Sequence, residues 1–289
     1  MKPAPFDYHA PQHIKEAAEL LATLPNAKIL AGGQSLVPMM NFRYAIVDHL
    51  VDLGGVADLR GIAVGDHSLR VGAMMRQREL EVAPEVARYC PLMAEALRHV
   101  GHRQTRNRGT IGGSLAHADP AAELPAVCAA YDAAIHIASI RGLRAVPFRQ
   151  FSVGFMTTAL APDEMIAAIE LPLWRQAHGY GFHEFARRRG DFALAGAAAL
   201  LDVGADGAVR RAALALCGVA AVPVRVDAAE AILTGKPLNA VAIRAAAATA
   251  WLIEPISDIH AGGDYRRHLA EVLSGRALTD AARRAGADV

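Results

Sequence analysis

The sequence predicts an α+β fold with a larger N-terminal domain and a smaller C-terminal domain. In the first half of the chain, short apolar runs alternate with segments of helical spacing. Pro172–Gly181 then holds two glycines and one proline in ten residues, which marks it as the best candidate for a domain boundary. Beyond it, the apolar Phe192–Val203 and the alternating Val209–Cys217 flank a glycine turn, a pattern typical of a hairpin.

Helices and strands can be assigned in order before the boundary. Apolar residues at helical spacing predict five helices, over His13–Leu24, Ser35–Phe42, Arg76–Glu81, Val86–Val100 and Asp119–Tyr131. Asp119 suits the N-cap of the last of these, and Pro120 its first position. Apolar runs bounded by turn residues predict strands over Lys28–Ala31, Ala45–Leu53, Leu69–Gly72, Ala134–Ser139 and Arg144–Val146. Met165–Leu171 fits a strand or a short helix.

After the boundary the pattern changes to a hairpin followed by helices. Phe192–Val203 reads as a buried strand, and Gly204–Gly207 turns the chain into Val209–Cys217. Three segments then have helical spacing, at Ala228–Leu233, Ala240–Trp251 and Tyr265–Leu273. The second domain is therefore expected to be an antiparallel sheet with about three helices.

Composition excludes several classes of protein. The 289 residues are 53% hydrophobic and 20% charged, which is ample material for a core. A net charge of +1 provides no global field for nucleic acid. No apolar run approaches the ~20 residues of a membrane helix, and the proline-rich N-terminus does not resemble a secretory signal. The three cysteines are far apart and form no CxxC, so we expect buried free thiols in a reducing cytoplasm rather than a zinc or iron–sulfur site.

Two Gly-Gly pairs, each followed closely by serine, are the main functional signal. One lies in KILAGGQSLVP, Lys28–Pro38, after an apolar run; the other lies in RNRGTIGGSLAHADP, Arg106–Pro120. Adjacent glycines allow neighbouring N–H groups to point into one concavity, which binds anions such as phosphate. Either pair alone is more often a simple turn. Together they suggest either a ligand with two phosphates or one diphosphate clamped from both sides, with the two pairs adjacent in space.

Basic residues accompany these pairs. The segment Arg98–Arg108 contains four arginines and two histidines but no acid, so it is either a solvated face or a cationic approach to the second pair. Arg106 and Arg108 are expected to form a positive surround for the clamp. Arg187–Arg189, before Gly190-Asp191-Phe192, is either a solvated run or a cationic lip beside an aromatic ring.

Motifs of other chemistries are absent from the sequence. It contains no GxxxxGK[ST], no GxGxxG and no GxSxG, which disfavours a Walker-type site, a dinucleotide fold of that type and an esterase-like nucleophile. The histidine pairs His9/His13 and His99/His102 lack a third ligand and are better read as solvent or capping residues. Asp119 and Glu123 could form an acid–base pair at i, i+4, although helix starts attract acids anyway.

Three separated motifs, in order, resemble the FAD-binding medium subunit of the molybdenum hydroxylases, the carbon monoxide dehydrogenase and xanthine dehydrogenase family. They are AGGQSLVPMMNFR at Ala31–Arg43, RNRGTIGGSLAHADPAAELPAV at Arg106–Val127 and RRRGDFALAG at Arg187–Gly196. The resemblance extends from Phe6 to DYRRHLAEVLSGRAL at Asp264–Leu278.

The resemblance implies an FAD-binding domain of two subdomains, of the vanillyl-alcohol oxidase (PCMH) type, over 1–175. A carbon monoxide dehydrogenase flavoprotein C-terminal-like domain, a small antiparallel sheet with a helix bundle, is implied over 178–287. FAD would lie between them. The implied cofactor-binding residues are Ala31, Gly32, Gly33, Gln34, Ser35 and Leu36, then Thr110, Ile111, Gly112, Gly113 and Ser114, then Asp119, Arg188 and Phe192.

Two of these positions depart from some relatives. Many relatives have Tyr where this chain has Phe192, which keeps an apolar face beside the flavin ring but removes the hydroxyl. Relatives that oxidise carbon monoxide often carry His where this chain has Gln34. The set of Gln34, Asn41–Arg43 and Ser114 resembles subunits of N-heterocycle and aromatic hydroxylases more closely.

The resemblance also implies partners. Electrons would arrive from a large molybdenum (molybdopterin) subunit through a small subunit with two [2Fe–2S] clusters, and FAD would pass them to an external acceptor. A dimer of heterotrimers is the expected assembly. This chain needs no catalytic side chain or metal of its own for that role. Two alternatives stay open, a flavin-free scaffold subunit and a self-contained flavin oxidase.

Overall fold

Four β-sheets organise the chain, and the computed structural model describes all of its residues, 1–289. A three-stranded parallel sheet and a five-stranded antiparallel sheet form the N-terminal part, together with a two-stranded hairpin. A four-stranded antiparallel sheet forms the C-terminal part. The predicted α+β class is confirmed.

The first sheet is built by short strand–helix–strand units. Its strands have the spatial order β1-β3-β2, with both neighbours parallel to β3. The elements, in chain order, are β1 (Asp7–His9), α1 (Ile14–Thr23), β2 (Ala27–Leu30), α2 (Leu36–Asn41) and β3 (His49–Asp52). The strand predicted over Ala45–Leu53 is shorter, because Tyr44 and Ala45 both donate their backbone N–H to the Met39 carbonyl and turn the chain after α2.

The second sheet is antiparallel throughout, with the order β4-β5-β10-β6-β7. Its strands are β4 (Ile62–Val64), β5 (Ser68–Gly72), β6 (Ala134–Ser139), β7 (Gly142–Pro147) and β10 (Met165–Pro172), and β8 (Ser152–Gly154) with β9 (Thr157–Thr158) forms a separate hairpin. Between β5 and β6 lie the helices α3 (Gln77–Val82), α4 (Pro84–Tyr89), α5 (Pro91–Leu97), α6 (Arg103–Arg108), α7 (Ile111–His117) and α8 (Glu123–Tyr131), and α9 (Phe148–Phe151) follows β7.

Two predicted helices of this region are wrong in their extent. The helix predicted over Val86–Val100 is two helices, because Pro91 has no N–H to continue α4 and instead begins α5. The helix predicted from Asp119 begins only at Glu123. The short basic helix α6 carries no apolar periodicity and was not predicted.

The C-terminal part is a sheet covered by one long helix. Its elements are β11 (Gly179–Phe185), β12 (Ala195–Val203), β13 (Val209–Cys217), β14 (Val224–Arg225), α10 (Asp227–Leu233), α11 (Ala240–Ala248) and α12 (Gly263–Arg284). Helix α12 is much longer than the predicted Tyr265–Leu273. It also lies very close to β11: a Cβ on Gly179 would collide with the Ala281 carbonyl oxygen. Gly179, in the segment predicted as a boundary, therefore lies in β11 and permits close helix–strand contact rather than a turn.

One hydrophobic cluster spans both parts, and each part also has a cluster of its own. The buried residues of the spanning cluster include Leu97 and Val127 from the first part and Phe182, Ala198 and Ala213 from the second. At the same junction the backbone N–H of Phe182 donates to Glu95 Oε1 at 3.1 Å, and Arg284 donates to Glu95 Oε2 at 2.5 Å. The junction that positions the candidate site is therefore packed and hydrogen-bonded. No helix has the length and hydropathy needed to cross a membrane.

Candidate functional site

The first motif, Ala31–Leu36, consists of the loop between β2 and α2 and the first residue of α2, and its amide groups have no partners. No backbone N–H from Ala31 to Leu36 donates to a backbone or side-chain acceptor in the protein, although Val37 N–H bonds to the Gly33 carbonyl. Gly33 has φ +72°, a left-handed conformation that glycine adopts at little cost. A run of unpaired N–H groups of this kind can hold an anion.

The second motif, Thr110–Ser114, is not a loop as predicted but the start of α7. Thr110 is the N-cap, and its hydroxyl accepts from the Gly113 N–H at 3.0 Å. The N–H groups of Ile111 and Gly112 donate to the carbonyls of Met75 and Ala73, and that of Ser114 donates to Thr110. The amides of the second motif are thus used within the protein, and we correct the expectation that they form a second concavity.

The glycines of the second motif instead permit close packing. A Cβ on Gly112 would lie 2.7 Å from Ala73 Cβ, and one on Gly113 would lie 2.9 Å from Thr110 Oγ1 and 3.3 Å from Ala31 Cβ. From the other side, a Cβ on Gly32 would lie 2.5 Å from the Arg108 carbonyl oxygen. The structure therefore brings the two Gly-Gly pairs into contact, as the sequence predicted, despite their separation along the chain.

Polar side chains flank this contact. The Ser35 and Ser114 hydroxyls are half-buried on the two motifs, and neither has a hydrogen-bond partner in the protein. Gln34 Nε2 donates back to the Gly32 carbonyl at 3.1 Å, which braces the loop. The loop amides and these hydroxyls form a donor-rich site for an anionic group.

Arg106 does not contribute to that site. Its side chain is buried, donates through Nε to Glu81 Oε2 at 2.8 Å and donates through a second nitrogen to the Val100 carbonyl at 2.9 Å. Burial opposes ionisation of Glu81, but the bonds from Arg106 and Arg78 hold the pKa of Glu81 below its usual value. The expectation that Arg106 surrounds the clamp is therefore wrong: its charge is neutralised locally. The Arg108 side chain is exposed.

Asp119 shapes a turn rather than capping a helix. Its Oδ1 accepts from the Ala121 N–H at 2.8 Å, and the following helix begins at Glu123. The Pro120 carbonyl accepts from the Gly218 N–H at 2.7 Å. This turn therefore ties the first part of the molecule to the end of β13.

The third motif, Arg187–Gly196, begins as an exposed turn between β11 and β12. Arg188 lies 3.8 Å from Asp191 and its side chain is 81% exposed, and Phe192 is 72% exposed. A Cβ on Gly190 would lie 2.5 Å from His102, so the turn rests on the segment that leads to the second motif. Phe192 lies outside the strand predicted over Phe192–Val203, which begins at Ala195.

Sequence reasoning missed a buried pair of carboxyl groups at the junction. Glu123, at the start of α8, and Glu184, on β11, have buried side chains. Burial raises the pKa of both groups, and Asp119 raises that of Glu123 further while Glu123 raises that of Glu184. His99 Nδ1 lies 4.0 Å from Glu184 Oε1. Glu123 carried a sequence signal in its spacing from Asp119; Glu184 carried none.

Arg266 was also missed. It is 2% exposed on α12, donates at 2.6 Å to the carbonyls of both Leu194 and Gly218, and pairs with Asp258 at 2.7 Å. Because Leu194 follows the exposed turn of the third motif and Gly218 binds the Asp119 turn, Arg266 fixes two of the predicted site segments at once. An arginine in a helix of charged residues gives no sign of burial in the sequence.

The remaining reactive groups do not form a catalytic constellation. The three cysteines are free and buried, and burial raises the pKa of the Cys90 thiol to about 12. No group of three or more His, Cys, Asp or Glu side chains could hold a metal ion. What the site offers is a loop of unpaired amides packed against the start of α7.

The chain matches the sequence models of two domain families. "FAD binding domain in molybdopterin dehydrogenase" covers residues 4–174, and "CO dehydrogenase flavoprotein C-terminal domain" covers residues 180–281. The nicotine 6-hydroxylase medium subunit of Paenarthrobacter nicotinovorans is 40% identical over 98% of this chain and 100% of its own length.

Two solved structures are similar along their whole length. One is a carbon monoxide dehydrogenase from Hydrogenophaga pseudoflava, with a TM-score of 0.95, 38% identity and coverage of 98% of this chain and 99% of that one. The other is quinoline 2-oxidoreductase from Pseudomonas putida 86, with a TM-score of 0.94, 38% identity and coverage of 99% of both chains.

Proposed function

The chain belongs to the family of FAD-binding medium subunits of molybdenum hydroxylases, and we propose that its first motif holds the FAD diphosphate for electron transfer. The observation that carries the proposal is the run of unpaired N–H groups from Ala31 to Leu36. A diphosphate carries the negative charge and the acceptor oxygens that such a run requires. FAD, when bound, accepts two electrons and passes them on singly or in pairs.

Different residues of the chain would have different roles in binding FAD. The loop amides of Ala31, Gly32, Gly33, Gln34, Ser35 and Leu36 would meet the diphosphate directly. Thr110, Ile111, Gly112 and Gly113 would support that loop by close packing, and Ser114 would add a hydroxyl. We further propose that Asp119, Arg188 and Phe192 face the flavin. The exposed ring of Phe192 beside the domain junction supports this placement.

The domain division into 1–175 and 178–287 is also our proposal. The family matches at 4–174 and 180–281 support it, as does the passage from β10, ending at Pro172, to β11, beginning at Gly179. In this arrangement the cofactor lies at the junction that is held by the hydrogen bonds of Glu95 to Phe182 and Arg284 and by the bond from Gly218 to Pro120.

We propose that electrons reach this chain from a large molybdenum subunit through a small [2Fe–2S] subunit, in a dimer of heterotrimers, and leave to an external acceptor. Similarity to a medium subunit and to a molybdenum-cofactor enzyme supports these partners.

We propose an N-heterocycle or aromatic compound as the substrate of the whole enzyme, supported by Gln34 and by the nicotine- and quinoline-oxidising relatives. Carbon monoxide is the second candidate, supported by the carbon monoxide dehydrogenase relative. We place the complex in the cytoplasm, where three free cysteines stay reduced.

Flavin content tests the proposal. The purified chain, or its complex, is expected to show flavin absorbance equivalent to about one FAD per chain, and added FAD is expected to restore it after stripping. A colourless chain that FAD cannot restore would support a flavin-free scaffold. Turnover of an organic substrate by the isolated flavin-loaded chain, without molybdenum, would support a self-contained oxidase.

A further inference from the structure

A cavity of about 520 Å³ opens beside the third motif, and all of its lining residues are polar or glycine. We call it the arginine cavity. Arg98, Arg103 and Arg106 line it from the segment before the second motif, and Arg189 lines it from the third motif. His102, also in the lining, is the residue on which Gly190 rests.

Most of the positive charge around the cavity has no counter-charge. Arg106 is neutralised by Glu81, but the guanidinium groups of Arg98, Arg103 and Arg189 make no hydrogen bond or ion pair within the protein. Each of these three residues is exposed. Like charges around one concavity repel each other and create a local positive potential, which an anionic partner relieves.

The positive region continues towards the proposed flavin. Arg187 and Arg188 extend the positive region along the exposed turn of the third motif to Phe192. Asp191, 3.8 Å from Arg188, offsets part of the positive charge of this turn. The arginine cavity thus borders the segment that we propose faces the flavin ring. A molecule bound over it would lie near the cofactor.

The chemistry of the lining disfavours a small ligand. Ring-bearing ligands are usually held by apolar and aromatic side chains, and no hydrophobic residue lines this cavity. A tight phosphate site needs buried donors that converge, yet the buried guanidinium, Arg106, donates to Glu81 and the Val100 carbonyl instead. Exposed, unpaired arginines around a polar depression are suited to transient docking of an oppositely charged protein surface.

We propose that the arginine cavity docks the acidic surface of a protein electron carrier that takes electrons from the bound flavin. The proposal rests on the proposed function and names the class of its external acceptor. Each reduced flavin that returns to FAD releases two electrons and two protons. Two molecules of a one-electron carrier each take one electron, and the two protons pass to solvent. Docking of such carriers is weak and is accelerated by electrostatic steering.

The test uses the purified complex, with its flavin content measured first and its flavin then reduced anaerobically with dithionite. Stopped-flow mixing follows flavin reoxidation by cytochrome b5, an acidic carrier, with the basic cytochrome c and the small anion ferricyanide as comparison probes. The charge-reversal variant is Arg98→Glu/Arg189→Glu, and Arg98→Gln/Arg189→Gln is made in case the former fails to fold. Arg244→Glu/Arg276→Glu, two exposed arginines around another cavity, is the matched control.

The charge-reversal variant is expected to keep its FAD and to react with cytochrome b5 about tenfold or more slowly at low salt, with a flatter salt dependence. The neutral variant should show a smaller loss in the same direction, and the control should match the wild type. Unchanged rates with cytochrome b5 would overturn the proposal, and so would loss of FAD from the variants. Slower reaction with ferricyanide alone would also overturn it, because that result indicates a site for small anions. A wild type without flavin would instead refute the proposed function.

Discussion

Gly32 and Arg108 approach so closely that a β-carbon on the glycine would lie 2.5 Å from the arginine's carbonyl oxygen. The contact of Gly32 with Gly109 is similarly close, since the same β-carbon would lie 2.7 Å from the Cα of Gly109. The contact is between two backbones, so neither side can yield by rotating a side chain. It fixes the loop with the unpaired amides against the segment that leads into α7.

Gly32→Ala is therefore expected to push the first motif away from the second. We expect a loss of about 1–3 kcal/mol in the free energy of unfolding, the usual cost of overpacking, and weaker FAD binding. Urea unfolding and FAD titration measure the two effects. The control is Gly275→Ala in α12, where the nearest atom outside the helix would be 3.8 Å from the new carbon. A Gly32→Ala protein as stable and as flavin-bound as the control would contradict this role.

Substitutions at Gly33 separate charge from backbone strain. Gly33 has φ +72°, and asparagine and aspartate enter that region with similar ease. Gly33→Asp adds a negative charge among the loop amides, whereas Gly33→Asn adds a side chain of nearly the same shape without charge. We expect FAD to bind the Asp variant at least tenfold more weakly than the Asn variant, about 1.4 kcal/mol in binding free energy. Equal dissociation constants would indicate that no anion lies beside this loop.

The buried Glu123–Glu184 pair predicts a loss of stability towards alkaline pH. Burial raises the pKa of Glu184 to about 8 from the usual 4.5, so the folded state holds a proton that the unfolded state releases. The free energy of unfolding should thus fall as pH rises from about 4.5 to about 8 and then level off. Glu184→Gln, which needs no proton, should be more stable than the wild type at pH 8 and show a smaller fall. Urea unfolding at pH 5 and pH 8 measures the effect in both proteins. An equal decrease in unfolding free energy in the wild type and the variant would contradict this role of Glu184.

Glu164 predicts the opposite dependence. Its side chain is 5% exposed and binds Arg144, whose hydrogen bonds lower the pKa of Glu164 to about 2 against the opposing effect of burial. The stabilisation is present above the usual pKa of 4.5 and is lost as pH falls towards about 2. Glu164→Gln should cost about 2 kcal/mol of unfolding free energy at pH 7 and little at pH 2. A cost that did not change with pH would show that packing, and not charge, is what Glu164 contributes.

Arg266 predicts a large difference between two neighbouring arginines. Arg266→Met leaves the carbonyls of Leu194 and Gly218 without their donor, and we expect a loss of about 3 kcal/mol in unfolding free energy. Arg267, one position along, donates to a single backbone carbonyl, that of Ile253, and pairs with the exposed acids Glu254 and Asp264, so Arg267→Met should cost only about 1 kcal/mol. Thermal or urea unfolding compares the two. Similar losses would mean that the buried bonds of Arg266 contribute little.

The sequence predicted those parts of the fold that local pattern controls. Alternation located β13 at its observed bounds, and helical spacing located α1. It failed where tertiary contacts decide: α12 runs to Arg284 because its small residues pack on Gly179 and Gly181, and that partner is distant in sequence. Likewise, a Gly-Gly pair does not reveal whether its amides are free, as in the first motif, or bonded, as in the second.

Hydrogen exchange of individual backbone amides, with and without FAD, tests the central claim most directly. The account predicts that the amides of Ala31–Leu36 exchange rapidly in the FAD-free protein and become protected when FAD binds. The amides of Ile111–Ser114, already bonded within the protein, should be protected in both states. Protection that appears at Ile111–Ser114 on FAD addition, with no change at Ala31–Leu36, would contradict the assignment of the diphosphate to the first motif.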